Sequence, residues 1–104
     1  MEQNKLGVRL RWLSTACYEI DCGGTHVVID PHITLCTGND LTAEVIEQCD
    51  ILALTHLHWD HATDVPGLME KFNPLLLCPA GSMVPAAQWL NCCQAHLQIS
   101  RQRL

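Results

Sequence analysis

The sequence predicts a mixed α/β (α+β) domain with the element order β-β-β-α-β-α-β-α, and three observations predict it. From Leu6 to Leu13 apolar and polar side chains alternate with period two, and two further extended runs joined through a glycine pair follow before Pro31, the pattern of a β-meander. Two short runs, Ile51-Leu52-Ala53-Leu54 and Leu75-Leu76-Leu77-Cys78, are wholly apolar, as strands covered on both faces are. Three further segments carry helical spacing or helix-start signals.

In chain order, Leu6, Val8, Leu10 and Trp12 alternate with Gly7, Arg9 and Arg11, which puts an apolar and a basic face on one strand at or near a sheet edge. A second extended run, Ala16 to Asp21, is joined through Cys22-Gly23-Gly24 to a third, Thr25 to Asp30, and the glycines suit a tight hairpin. Pro31 leaves the sheet, and residues 31–40 are rich in turn formers. Thr42 to Cys49 places Val45, Ile46 and Cys49 at helical spacing with Glu44 and Glu47 facing away, so a short amphipathic helix is expected there. The apolar strand from Ile51 follows. Thr63 or Asp64 then caps a helix that holds Pro66 in its first turn and runs to about Phe72. After the strand from Leu75, a last helix is expected from Met83 to Leu90. The domain takes in residues 1–93, and the polar remainder, 94–104, reads as a frayed tail.

At 104 residues, 48% of them hydrophobic, the chain has room for one small domain and not for two. Six Lys and Arg against eleven Asp and Glu give a net charge of -5, which argues against nucleic acid as a partner. No apolar stretch reaches the ~18 residues of a membrane span, and the N-terminus lacks a signal-peptide pattern, so the expected location is the cytoplasm with no membrane contact. The seven cysteines are odd in number and irregularly spaced, and they read as reduced thiols, most of them in the core.

The chemistry concentrates in Thr55-His56-Leu57-His58-Trp59-Asp60-His61. On extended backbone His56 and His58 project to the same side, so both imidazoles reach one ion. Asp60 continues that alternation and His61 breaks it, which offers a carboxylate and an imidazole to a second ion. Structural zinc sites favour closed, cysteine-rich tetrahedra, whereas histidine with carboxylate leaves open positions for water. By composition, this pattern has a chance probability on the order of one in a thousand.

The run from Thr55 to His61, followed by Asp64, resembles the H-x-H-x-D-H signature of the metallo-β-lactamase superfamily. Arg11 to Ile20, the Gly23-Gly24 turn and Val28-Ile29-Asp30-Pro31 resemble that family's opening meander and Asp-Pro loop. The resemblance implies an αββα sandwich, here truncated to its N-terminal half, with metals at the loop ends of the sheets. It implies that His56 and His58 hold one ion and Asp60 and His61 a second, with Asp30 supporting the site from a neighbouring loop. Zinc is the implied metal, two ions in the complete site, with Mn2+ or Fe2+ as alternatives. The implied function is a metal-dependent hydrolase in which Asp60 orients the attacking water on a small-molecule ester, amide or phosphoester.

The family pattern also requires a downstream histidine, a bridging aspartate and a late histidine, and after Asp64 this chain has only His96 and no aspartate. The expectation is therefore a shortened or fragmentary hydrolase with impaired activity, or a non-catalytic metal-binding or partner-binding remnant. A nuclease-type relative is disfavoured by the net charge of -5. His32 reads as a hydrogen-bonded loop residue rather than one facing the site. Without a second half, the sheet would expose an apolar face and self-associate.

Overall fold

The computed structural model describes residues 7–92. Five strands form one sheet in the order β1-β2-β3-β4-β5: Val8–Ser14, Cys17–Cys22, Thr25–Ile29, Ile51–Ala53 and Leu75–Leu77. The first three pair antiparallel as the meander, and β4 and β5 add in parallel. The hairpin between β2 and β3 turns on Gly23 and Gly24, whose φ of +62° and +94° only glycine adopts without strain. Helices α1 (Trp59–Ala62), α2 (Val65–Phe72) and α3 (Met83–Cys92) complete the fold.

The register sorts the side chains into rows that cross the whole sheet. Arg11, Glu19, Val28, Leu52 and Leu76 lie side by side on one face, and that face is covered. Val28 and Leu52 are fully buried there, in a core that also takes in Ile33, Leu68, Met69 and Leu90. The opposite face carries Trp12, Tyr18, Ile29, Ala53 and Leu77 in one row and Leu10, Ile20, Val27, Ile51 and Leu75 in the next. No element among the described residues covers it: Leu10 is 55% exposed, Trp12 61% and Leu77 45%.

Three sequence expectations are corrected. The helix expected over Thr42 to Cys49 shrinks to a single 3-10 turn, Ala43–Val45, after which Ile46 is extended. The segment must reach β4 alongside β3, and an extended chain still delivers Ile46 and Cys49 to the core while Arg11 Nη2 donates to the Val45 carbonyl at 3.0 Å. The strand Leu75–Leu77 is covered on one face only: Leu76 is buried, whereas Leu75 and Leu77 point to the open side. Asp60 does not continue the extended alternation, because the backbone turns helical directly after His58 and places Asp60 and His61 on α1. The tail 94–104, with His96, and Cys93 lie outside the described residues.

Candidate metal centre

The parallel pairing of β3 with β4 brings the C-terminal ends of two strands together at one end of the sheet. Asp30 follows β3 and Thr55 follows β4, and the Asp30 N–H donates to the Ala53 carbonyl at 2.9 Å. Asp30 is 2% exposed and sits at φ +46°, a left-handed conformation that Asp tolerates better than most residues. A buried carboxylate needs donors, and this one has three. The Thr55 N–H and hydroxyl donate to Oδ1 at 2.8 Å and Oδ2 at 2.6 Å, and His61 Nδ1 lies 3.1 Å from Oδ2.

These bonds determine which ring nitrogens carry hydrogen. His61 Nδ1 faces a carboxylate oxygen, so it donates. The Thr55 hydroxyl spends its only hydrogen on Asp30, so its oxygen accepts from His56 Nδ1 at 2.8 Å. Both histidines therefore leave Nε2 with a lone pair. Their rings are in contact, with centroids 4.1 Å apart, and His58 stands edge-on to His56 at 4.4 Å.

Asp60 is largely exposed, and its Oδ2 lies 3.9 Å from His61 Nε2. The four residues of the sequence motif thus occupy one patch, with Asp30 beneath them. The chemistry of these donors suits a divalent ion, since metal-ligating histidines commonly donate their other nitrogen to a carboxylate. These donors are not brought together as a closed site. Among the described residues no group of three or more His, Cys, Asp or Glu side chains is arranged to hold a metal ion.

The surrounding loop is fastened by Asp64, from which a helix cap was expected, and by His32. Asp64 stands at the start of α2, yet its carboxylate does not cap that helix. It accepts instead from the backbone N–H groups of Ile33 at 2.7 Å and Thr34 at 3.1 Å, tying the loop after Asp30 to the loop after α1. His32 is buried, bonded through Nδ1 to Thr63 Oγ1 at 2.8 Å and set against the Trp59 ring at 4.9 Å, which agrees with a hydrogen-bonded loop residue. Thr55 was quoted in the motif without a role. Its place immediately before the first histidine was the available signal, but only the fold shows that Asp30 lies beside it.

A family model described as the metallo-beta-lactamase superfamily matches residues 10–98. A UPF0173 metal-dependent hydrolase of Koribacter versatilis is 29% identical over 73 residues, which is 69% of this chain and 31% of that protein. One from Sulfurisphaera tokodaii is 39% identical over 67 residues, 64% of this chain and 29% of that protein. Among solved structures, Igni18, a metallo hydrolase from the archaeon Ignicoccus hospitalis, superposes with a TM-score of 0.70 at 24% identity, over 79% of this chain and 36% of that one. The chain spans about 30% of the length of these curated relatives.

Proposed function

Because the chain belongs to the metallo-β-lactamase superfamily, we propose that its histidine patch is the metal-binding portion of a hydrolytic centre acting on a small-molecule substrate. His56, His58, Asp60 and His61 hold the metal in this reading, and Asp30 and Thr55 orient the rings. Zinc suits imidazole with carboxylate, and Mn2+ or Fe2+ are accommodated by the same donors. A bound divalent ion supplies acidified water, with a pKa of ~7, and polarises an ester, amide or phosphoester oxygen. Asp60, turned toward solvent, orients the attacking water and accepts its proton. Among the described residues five cysteines are free thiols, which supports the cytoplasm as the compartment. Among the described residues, no helix is long and apolar enough to cross a membrane.

The observation that carries this reading is the pair of hydrogen-bonded Nδ1 atoms, which leaves the Nε2 atoms of two touching rings free to accept a metal. Metal-ligating histidines commonly hold their other ring nitrogen in such a bond. The absence of a three-donor group among the described residues favours a second reading, a metal-binding remnant without catalysis. Equilibrium dialysis against zinc followed by metal analysis tests both. The wild type retains zinc and the His56→Ala, His58→Ala double variant does not; equal metal content in the two rejects the assignment.

A further inference from the structure

We propose that His32 is a positioning residue of the metal centre, holding the helix that carries Asp60 and His61 in register with Asp30. The inference rests on the metal-binding reading above and adds to it a residue outside the histidine motif. Helix α1 is a single turn, Trp59–Ala62, far short of the ~12–15 residues at which a helix begins to hold its own shape in water. Its N-cap, His58, makes no side-chain cap bond, so the turn has to be held from outside. His32 grips it at both ends. Its Nδ1 lies 2.8 Å from the Oγ1 of Thr63, the residue that closes the helix. Its ring packs against Trp59, the residue that opens it, with centroids 4.9 Å apart.

The grip is anchored in the loop that starts at Asp30. His32 is buried, and the Ser14 hydroxyl at the end of β1 donates to its carbonyl. On either side of it, the Pro31 carbonyl accepts from the Asp64 N–H at 2.9 Å and the Ile33 N–H donates to the Asp64 carboxylate. Those bonds fix how near the two loops lie. The His32 ring fixes how α1 is rolled between them, because Trp59 and Thr63 stand four residues apart on one helical face and the ring touches both. His61 lies within that turn and reaches Asp30 through one contact, Nδ1 to Oδ2 at 3.1 Å. A roll of α1 stretches that contact and carries Asp60 and the His61 ring away from His56.

Three substitutions in the 104-residue chain divide the grip into its parts. His32→Phe keeps a ring against Trp59 and gives up the bond to Thr63, His32→Asn keeps a polar atom near the Nδ1 position and gives up the ring, and His32→Ala gives up both. Zinc affinity, measured by competition with a chromophoric chelator, is expected to fall about tenfold in His32→Ala, the low end for residues that orient a metal-bound histidine, and less in the other two. In the metal-free chain, the proton NMR signal of the His61 Nδ1–H is expected in the wild type and lost to exchange with water in His32→Ala. Urea unfolding run in parallel identifies the variants that stay folded, and His32→Phe carries the test where His32→Ala does not fold. A merely structural role lowers stability while leaving both the zinc affinity and the Nδ1–H signal of a folded variant unchanged, and that result overturns the proposal. A wild type that binds no zinc rejects the metal-binding reading and this proposal with it, whereas zinc bound equally by the wild type and the folded variants rejects this proposal alone.

Discussion

Asp30 and His61 meet at 3.1 Å between Oδ2 and Nδ1, and the same carboxylate oxygen takes the Thr55 hydroxyl at 2.6 Å. One buried oxygen therefore orients two imidazoles, His61 directly and His56 through Thr55. Asp30→Asn tests this with little backbone cost, because Asn also accepts the left-handed φ found here. Zinc affinity, measured by competition with a chromophoric chelator, is expected to fall about 10- to 100-fold. Thr55→Val, which releases only His56, lowers it less, and Thr55→Ser restores it. Unchanged affinity in Asp30→Asn removes the orienting role.

The fastening by Asp64 predicts a stability effect where the sequence suggested a helix cap. Asp64→Ala leaves the Ile33 and Thr34 N–H groups without their acceptor and costs about 1–3 kcal/mol in urea unfolding. A cap at that position would be replaced by Ser at little cost. The shorter Ser side chain does not span to Ile33, so Asp64→Ser is expected to behave like Asp64→Ala.

How much of this was legible in the sequence depended on whether the cause was local. The meander, the glycine turn and the apolar strands were readable, because period-two alternation and left-handed glycine are properties of adjacent residues. The 3-10 turn was missed because Val45, Ile46 and Cys49 suit an extended chain over a core as well as a helix, and the sheet decided between them. Leu75 and Leu77 read as buried from both sides because the face they line is apolar. The sequence showed the need for cover, and the described residues leave it unmet. Within the site, the histidines and Asp60 were visible as spacing. The hydrogen-bond chain from His56 through Thr55 to Asp30 required the parallel pairing of β3 with β4, which no local pattern encodes.

Two buried thiols predict an alkaline limit to stability. Burial, aided at Cys17 by the negative charge of Asp64 and at Cys49 by that of Asp50, pushes both from 9.0 to about 12. Between those values the unfolded chain gives up protons that the folded chain keeps, so stability is intact below pH 9 and falls as pH rises toward 12. The slope is at most about 1.4 kcal/mol per pH unit per thiol. Urea titrations at mildly and strongly alkaline pH are expected to show a shallower loss in Cys17→Ala, Cys49→Ala than in the wild type. Parallel losses in the two proteins would count against it.

The last prediction concerns turnover. A catalytic ion needs about three protein ligands while one position stays open to water. The described residues offer the Nε2 atoms of His56 and His61, the neighbouring ring of His58, and an exposed Asp60, without a three-donor group. The chain covers about 30% of its curated relatives, so ligands contributed by their remaining length are not among these residues. Hydrolysis of phosphodiester, lactone and β-lactam probes by residues 1–104 is accordingly expected to stay at background with zinc or manganese present. Extending the chain with the C-terminal part of a full-length relative is expected to raise the rate. Asp60→Asn in that extended protein should then cost about 10²–10⁴-fold, the range of a lost general base. If the 104-residue chain turns over by itself and loses that activity on Asp60→Asn, its site is complete, and the missing donor must come from residues outside 7–92 or from a second copy. Sedimentation of the active species, set against the rate at each dilution, separates those two sources.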